Sequence, residues 1–284
     1  MTKQPSKKII PLVSVVIPTR NSIRTIEACL KSIKKQTYPK LEIIVVDNFS
    51  SDGTPEAAQK FTNKVFQKGH ERSAQRNFGV EKSSGKFVVW IDSDNILHPR
   101  IIEECVRTIN KGYQALIIPE ISIGEGYWAK CKILEKRCYL GDNRIEAIRF
   151  IEKSIYNKVG RLSEELISGE DWDITTRVRE NGYRVGRIKT LMLHDEGRLT
   201  LINNLRKKYY YSTKSLPYVS RHIRSTQDVI LFIFRPAFFR NWRMLIADPI
   251  HTVGFLFMKF CEFGVGLVGF GMAKFKLFGV YENK

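Results

Sequence analysis

The sequence predicts an α/β fold with a mostly parallel sheet flanked by helices. Apolar runs of strand length occur at residues 11–17, 41–46 and 87–91. Such continuous runs are typical of strands buried on both faces of a parallel sheet. Stretches with helical spacing alternate with these runs over short connections, which is the pattern of βαβ units. Each run also gives way abruptly to polar residues, as expected at the ligand-binding edge of an open sheet.

The intervening elements follow in order from apolar spacing and turn chemistry. After the first run, apolar residues fall at i, i+3, i+4 and i+7 from Ile26, which predicts a helix with one buried face. The polar turn at residues 50–54 supplies N-cap chemistry for a second helix. The remaining elements predicted in this half are that helix near residues 55–61, a short strand at 65–67, and a loop leading into a helix over 69–82.

The composition bounds the class of protein. At 284 residues, with 43% apolar and 27% charged residues, the chain can bury a sizeable core. Its net charge of +18 predicts a polyanionic partner: nucleic acid, an anionic membrane surface or a phosphorylated substrate. Five cysteines without CxxC spacing argue against a disulfide framework or a zinc site. The basic N-terminus lacks a long apolar core, so we expect no signal peptide and a protein that faces the cytoplasm.

The strand predicted at residues 87–91 ends in Asp92, Ser93 and Asp94. Two carboxylates one residue apart can share a hard divalent cation and its phosphate-bearing ligand. The alternative is an acidic turn that caps the following helix, and these residues alone do not choose between the two.

Two further strand ends favour a ligand site. The first strand is followed by Pro18, Thr19 and Arg20, and the second by Asp47 and Asn48. Right-handed crossovers bring the ends of parallel strands to one edge of the sheet. Three converging polar ends therefore predict a nucleotide-sized site. The chain lacks the GxxxxGKS/T loop of P-loop enzymes, and no GxGxxG follows its first strand, which counts against a dinucleotide oxidoreductase.

Three segments carry a family resemblance: VSVVIPTRN, EIIVVDNFSSDGT and SAQRNFGVEKSSGKFVVWIDSDN. In order and spacing they resemble the nucleotide-binding half of family 2 glycosyltransferases, over roughly residues 13–194. The resemblance implies a GT-A fold with a Rossmann-like sheet, a UDP- or GDP-linked sugar donor, and a divalent metal, Mn²⁺ or Mg²⁺. It also implies residue roles: contacts with the nucleotide by Pro18, Thr19, Arg20, Asp47 and Arg76, contacts with the ribose or donor sugar by Asp92 and Ser93, and metal ligation by Asp94.

The middle of the chain gives weaker signals. Residues 114–119 are apolar enough for another strand, and residues 124–126 (Gly-Glu-Gly) are predicted to form a flexible hinge. A helix with an apolar face that begins at Tyr127 is expected over residues 127–140. Such a face is more often core packing than a binding site, although in the family this region commonly borders the acceptor pocket.

A second acidic motif, Glu170-Asp171, precedes a helix that Asn181 and Gly182 are predicted to end. A helix N-terminus favours ionised carboxylates, so simple N-capping is the alternative to a catalytic role. The pair resembles that of inverting GT-A enzymes, which implies Asp171 as the general base and Glu170 as a supporting residue. The base would remove the acceptor proton as the acceptor oxygen attacks the anomeric carbon.

His194 is predicted to end a later strand, in the run that begins at residue 191. A single histidine on an apolar strand is usually structural. The resemblance to GT-A enzymes implies a different role, as a metal ligand alongside Asp94.

Beyond His194 the sequence becomes basic and aromatic. Residues 206–209 combine cations with tyrosine, which suits either a nucleic-acid surface or a membrane interface. The apolar residues that follow favour the membrane. The residues predicted to bind the phosphate of an acceptor lipid are Arg206, Lys207, Lys208 and Tyr209.

The C-terminal stretch predicts membrane association. Residues 229–234 and 238–243 are typical of an amphipathic, interface-seeking segment. Residues 250–270 are strongly apolar but are broken by Lys259 and Glu262, and several glycines weaken a free-standing helix. A spanning helix needs about 20 apolar residues, and a central charge costs roughly 2.5–3.5 kcal/mol. We therefore expect in-plane or re-entrant helices in the cytoplasmic leaflet rather than one span. The alternative is a buried helical hairpin of a soluble protein.

The sequence thus predicts a glycosyltransferase domain over residues 1–225 and a membrane-associating helical segment over residues 226–284. The predicted function is inverting transfer of a sugar from a nucleotide-diphosphate sugar to a lipid-linked acceptor, such as a polyprenyl phosphate or a saccharide carried on it. We expect the cytoplasmic face of the cell membrane as the location and no nucleic-acid partner. One alternative is a basic, non-catalytic adaptor that binds membrane or nucleic acid. Another is a sugar-1-phosphate nucleotidyltransferase, but residues 18–21 replace its Gly-rich basic loop.

Overall fold

The structure is a computed structural model that describes residues 10–222, 225 and 235–281. The strands are β1 (Val13–Thr19), β2 (Leu41–Asp47), β3 (Val65–Gln67), β4 (Phe87–Trp90), β5 (Asn95–Ile96), β6 (Ala115–Ile117), β7 (Glu120–Glu125), β8 (Ile148–Glu152), β9 (Val185–Arg187) and β10 (Met192–Arg198). The helices are α1 (Ile26–Lys34), α2 (Thr54–Gln59), α3 (Arg72–Lys82), α4 (Ile101–Ile109), α5 (Tyr127–Tyr139), α6 (Lys153–Lys158), α7 (Glu170–Glu180), α8 (Leu201–Thr213), α9 (Leu216–His222), α10 (Pro236–Arg240), α11 (Trp242–Ala247) and α12 (Pro249–Tyr281).

The main sheet has seven strands in the order β3-β2-β1-β4-β8-β6-β9. The first four strands in this order pair in parallel, as do β6 and β9, whereas β8 runs antiparallel to both β4 and β6. Every residue of β1 and β4 is buried, which explains why β4 is wholly apolar and β1 mostly so. Apolar clusters with helices lie on both faces. The predicted α/β fold with a mostly parallel sheet is confirmed.

β1 runs two residues further than predicted, through Pro18 to Thr19. Proline lacks the N–H that a central strand donates to its neighbour. Here the pairing of β1 with β4 ends at Val16, while β2 continues beside β1 to the end. Pro18 therefore interrupts no hydrogen bonds between β1 and β4.

A small sheet, in the order β5-β10-β7, lies beside the end of β4. β7 and β10 pair in parallel over most of their length. The predicted flexible hinge at residues 124–126 is therefore wrong, because its first two residues belong to β7 and Gly126 is the residue before α5. His194 does not end its strand. It is the third residue of β10, which continues to Arg198 because β7 pairs with it along this stretch.

α12 is one continuous helix that packs against α5 and α8. Two glycines permit the close approach. A Cβ added at Gly254 would overlap the hydroxyl of Tyr127, and one at Gly269 would overlap the hydroxyl of Ser212. The expectation that glycines and charges break this stretch is therefore not met. Neighbouring helices supply the support that the isolated segment would lack.

The opposite face of α12 is apolar and exposed. Within the described residues, one helix, over Pro249–Lys274, is long and apolar enough by length and composition to cross a membrane. The amphipathic segment predicted at residues 229–234 lies outside the described residues. The large exposed apolar side chains of α12 are Ile250, Val253, Leu256, Phe257, Phe260, Phe263, Leu267, Val268 and Met272.

Candidate active site

The ends of β1 and β2 form one side of the candidate site. The Asp47 carboxylate is fully buried and accepts hydrogen bonds from Thr19 Oγ1 at 2.9 Å, Ser50 Oγ at 2.6 Å and the Ser50 amide at 2.8 Å. Pro18 and Thr19 are buried as well, whereas Arg20 is exposed. Asp47 therefore holds the loop after β2 in place. The expected contacts of these residues with a nucleotide stay a prediction, with Arg20 and nearby backbone as the accessible groups.

Arg76 lies at the centre of the acidic residues. Its side chain is 0% exposed, and its guanidinium contacts Asp92 Oδ1 at 2.6 Å, Asp171 Oδ1 at 3.0 Å and Glu170 Oε1 at 3.3 Å. We expected Arg76 to touch a base or ribose. In this structure the Arg76 side chain has no exposed surface and joins the end of β4 to the start of α7. Its contact with a nucleotide stays a prediction.

Asp92 is held by two arginines. Arg149, which lies on β8, contacts Asp92 Oδ2 at 3.2 Å and Glu120 Oε2 at 3.2 Å. Burial raises the pKa of Asp92, but Arg76 and Arg149 more than offset this and hold it well below the usual range. Asp92 is thus ionised. The hydroxyl of Ser93, next to Asp92, donates a hydrogen bond to the Ser22 hydroxyl at 2.9 Å.

Asp94 and His194 lie together, as predicted for a metal site. His194 Nε2 is 3.3 Å from Asp94 Oδ2, and His194 Nδ1 is 2.8 Å from Glu120 Oε1. Burial lowers the pKa of His194, but these two carboxylates raise it to about 10. Lys136 Nζ lies 3.3 Å from His194 Nδ1 and opposes this rise in the pKa of His194.

This pair fits a divalent cation. Among the described residues, Asp94 Oδ1 is a buried oxygen with no hydrogen-bond partner. Glu120 is placed to orient the His194 ring, as carboxylates behind metal-ligating histidines commonly do. In the described part of the chain, no three His, Cys, Asp or Glu side chains are grouped as a complete metal site. Phosphate and water would have to complete the coordination, which suits Mg²⁺ or Mn²⁺.

The acidic pair begins α7, as predicted. Asp171 Oδ1 accepts hydrogen bonds from Arg76 and from Trp90 Nε1, the latter at 3.2 Å, and its side chain is 25% exposed. Burial and the neighbouring Asp171 carboxylate raise the pKa of Glu170. Arg72 Nη2 lies 3.4 Å from Glu170 Oε1. Asp171 is thus the more accessible carboxylate, with one oxygen fixed in place.

A cavity of about 480 Å³ opens in front of this pair, between α5, α7, α8 and α12. Asp171, Glu120 and His194 border it, and so do Lys207 and Lys208. Among the described residues, Arg206 and Tyr209 are not part of its wall. The charged wall residues that the sequence did not predict are Arg72, Glu120, Lys132, Glu135, Lys136, Glu146, Arg149, Glu196, Arg235, Lys259 and Glu262.

Comparisons with known proteins concern the family and the fold. Residues 14–161 match the family described as Glycosyl transferase family 2. Glycosyltransferase AglE of Haloferax volcanii is 31% identical over 192 residues, which is 61% of this chain and 63% of that protein. The GalNAc(5)-diNAcBac-PP-undecaprenol beta-1,3-glucosyltransferase of Campylobacter jejuni is 33% identical over 113 residues, 36% of each chain. The chain thus spans less than two thirds of the length of these relatives.

Solved structures show a similar fold. The mannosyltransferase PcManGT from Pyrobaculum calidifontis, in complex with GDP-Man and Mn²⁺, covers 94% of this chain and 90% of its own, with a TM-score of 0.64 and 16% identity. Residues 1–349 of S. aureus TarS in complex with UDP-GlcNAc cover 72% of this chain and 66% of their own, with a TM-score of 0.53 and 21% identity. At these identities the likeness concerns the fold alone.

Proposed function

Because this chain belongs to glycosyltransferase family 2, we propose that it is an inverting enzyme that transfers a sugar from a UDP- or GDP-linked donor to a lipid-linked acceptor at the cytoplasmic face of a membrane. The observation that carries this proposal is the link made by Arg76. It joins Asp92, at the predicted donor edge, to Asp171, at the wall of the cavity. A donor side and an acceptor side therefore meet at one fixed point.

Asp171 is the proposed general base. Arg76 and Trp90 fix its Oδ1, so the carboxylate has a defined direction at the wall of the cavity. It would take the proton of the acceptor hydroxyl as the acceptor oxygen attacks the anomeric carbon, on the face opposite the leaving diphosphate. Glu170 and Arg72 support this geometry, since both belong to the same ion-pair network as Arg76.

Asp94 and His194 are the proposed metal ligands. When bound, a divalent cation would neutralise the negative charge that develops on the leaving diphosphate. Glu120 would keep His194 in the orientation that ligation needs. The PcManGT complex contains GDP-Man and Mn²⁺, which supports metal use within this fold.

A lipid-linked acceptor is supported by two observations. The cavity is bounded on one side by α12, whose other face is apolar and exposed. The name of the Campylobacter jejuni relative includes a saccharide linked through PP to undecaprenol. Lys207 and Lys208 border the cavity and are the proposed contacts for the acceptor phosphate, while Arg206 and Tyr209 lie on the same helix outside it.

We place the catalytic domain at residues 1–225 and the membrane-attached part at residues 226–284, with α12 in the plane of the membrane. The inner face of α12 is in contact with α5 and α8 from Gly254 to Gly269. Lys259 and Glu262, in the middle of the helix, pair with charged residues of α5. A spanning orientation would carry these charges into the hydrocarbon or separate them. One protein-facing side and one apolar side suit an interfacial helix.

The donor half of the proposal is tested by thermal unfolding of the full chain with UDP- and GDP-sugars, with and without Mn²⁺. A ligand at a hundredfold excess over its Kd raises stability by about 2.7 kcal/mol. We expect a metal-dependent shift with donors of one nucleotide, which Asp94→Ala removes. Asp171→Asn should keep that shift and lose transfer. No shift with any donor would favour the non-catalytic adaptor.

The membrane half is tested by flotation with vesicles that contain anionic lipid. Wild-type protein should float even at 1 M NaCl, because apolar burial is not screened by salt. Phe260 and Leu267 are 78% and 73% exposed, so the double variant Phe260→Glu, Leu267→Glu should lose flotation at high salt without unfolding. Equal flotation of the double variant would exclude this face as the membrane contact.

A further inference from the structure

The charges around the cavity are mostly neutralised in pairs. Lys132 Nζ lies 2.9 Å from Glu135 and 3.4 Å from Glu262, and Lys259 Nζ lies 2.5 Å from each of the same two carboxylates. Two lysines and two glutamates thus form a closed, neutral set between α5 and α12. It joins the helices and has no surplus charge for a ligand.

Two cations near this set are different. Within residues 10–222 and 235–274, the Lys208 ammonium has neither an ion pair nor a hydrogen bond, although the side chain is half-buried. Arg235 likewise has no carboxylate partner in this part of the chain, and its guanidinium lies over the Tyr139 ring, 4.9 Å from the centroid. Both residues border the cavity.

Lys208 and Arg235 are both half-buried and border the same cavity. Burial lowers the pKa of Lys208, the cations of Lys259 and Arg235 lower it further, and Glu262 opposes them. A buried ammonium without a partner is costly, and a bound anion would remove that cost. The structure therefore shows surplus positive charge at one place in the cavity wall.

We propose that Lys208 and Arg235 form an anion subsite that binds the diphosphate of a lipid-diphosphate-linked acceptor, an inference that rests on the function proposed above. A saccharide joined to lipid by a diphosphate carries two negative charges there, whereas one joined by a monophosphate carries one. Two half-buried cations without a carboxylate partner match the diphosphate, while Lys207, which also borders the cavity, is exposed. Arginine offers a fork of donors to the phosphate oxygens and lysine a point charge.

The subsite is distinct from the donor edge. Asp92 pairs with Arg76 and Arg149, and Asp94 lies against His194. In the described part of the chain, neither Lys208 nor Arg235 has an ion pair or hydrogen bond with these residues. The donor diphosphate at Asp92 and Asp94 therefore leaves Lys208 and Arg235 available.

The test is a binding titration of the full chain in non-ionic detergent micelles. The probes are geranylgeranyl diphosphate, geranylgeraniol and inorganic pyrophosphate. Wild type should bind the lipid diphosphate more tightly than either other probe, because the lipid chain and the anion both contribute. Lys208→Met and Arg235→Met should each weaken that binding by about tenfold or more. Lys214→Met is the matched control, since Lys214 is exposed, ends the same helix and lies outside the cavity.

The outcomes separate this subsite from the proposed function. Unchanged affinity in both cavity variants, or equal binding of geranylgeraniol, would overturn the subsite. If inorganic pyrophosphate binds as tightly as geranylgeranyl diphosphate, the subsite binds a free anion rather than a lipid-linked one. A smaller thermal shift with the nucleotide sugar in Lys208→Met, with unchanged affinity for the lipid diphosphate, would mean that the two cations bind the donor instead. Wild type that binds the lipid diphosphate but no nucleotide sugar would refute the proposed transfer and leave the subsite standing.

Discussion

Gly254→Ala should loosen α12, whereas Gly264→Ala on the same helix should not. A Cβ at residue 254 would overlap the Tyr127 hydroxyl and lie 2.6 Å from Cys131 Sγ, whereas nothing lies within 4 Å of a Cβ at residue 264. Alanine is favoured over glycine in a helix interior by about 1 kcal/mol, and overpacking costs about 1–3 kcal/mol. The net change is a loss of up to about 2 kcal/mol for Gly254→Ala and a gain of up to about 1 kcal/mol for Gly264→Ala.

Cys131 provides the readout. It is buried in a cluster with Phe255 and Met258 of α12, so its thiol reacts only when α12 separates from α5. Alkylation of the full chain in detergent, resolved by mass spectrometry, measures this separation. A loss of one to two kcal/mol should speed labelling about 5–30-fold. Gly264→Ala should label at the wild-type rate or up to about fivefold more slowly. Equal rates in the two variants would refute the close-packing argument.

Gly269→Ala distinguishes a local effect from separation of the whole helix. A Cβ there would overlap the Ser212 hydroxyl and lie 3.2 Å from the Tyr209 carbonyl oxygen, well away from Cys131. If α12 separates as a unit, this distant change should also speed labelling of Cys131. An effect confined to Gly254→Ala would mean that only the neighbourhood of the thiol opens.

Three further predictions concern the charged residues. Arg76→Met should lower the free energy of unfolding in urea by about 3–5 kcal/mol, because it leaves buried carboxylates without their partner. The control Arg72→Met, at a side chain that is 41% exposed, should lower it by about 1 kcal/mol or less. Equal losses in the two variants would contradict this. His194→Ala should reduce the Mn²⁺-dependent part of the donor thermal shift, and an unchanged metal dependence would remove it as a ligand. Burial opposes ionisation of Glu135, but Lys132 and Lys259 hold its pKa below the value of an ordinary glutamate. The ionised Glu135 therefore stabilises the fold above that ordinary pKa, and this stabilisation is lost as the pH falls. Lys259→Met should therefore move acid unfolding, followed by circular dichroism, to higher pH, and an unchanged midpoint would argue against the pairing.

The sequence is sufficient where burial on both faces leaves a mostly apolar run of strand length. β1, β2 and β4 were predictable for this reason, and β3 lies at the residues expected. β8 was not predictable. Its five residues, IRFIE, form neither an unbroken apolar run nor a strict alternation, and its Arg149 pairs with Asp92 and Glu120 from distant parts of the chain. Residues 124–126 have the composition of a loop, yet two of them are held in β7 by pairing with β10, which begins more than sixty residues later.

The residues of the candidate site likewise fall into those that a local sequence pattern marks and those that it does not. Asp92, Asp94 and Asp171 stand out because the first two follow a strand within four residues and the third lies in the first turn of a helix. The burial of Arg76 depends on partners up to 95 residues away, so no local pattern contains it. Glu120 carried a usable signal, since it follows an apolar run just as Asp92 does.

In the proposed orientation, the two faces of α12 would set a fixed height of the active site above the lipid. Lys259 and Glu262 belong to the cavity wall, while the apolar side chains of the same rigid helix face outwards. With that outer face in the membrane, the distance from the bilayer to Asp171 is set by helix packing rather than by a flexible tether. Such an enzyme would select acceptors by length. A saccharide whose terminal hydroxyl lies too near the lipid, or too far from it, would not reach Asp171, whichever sugar it carries.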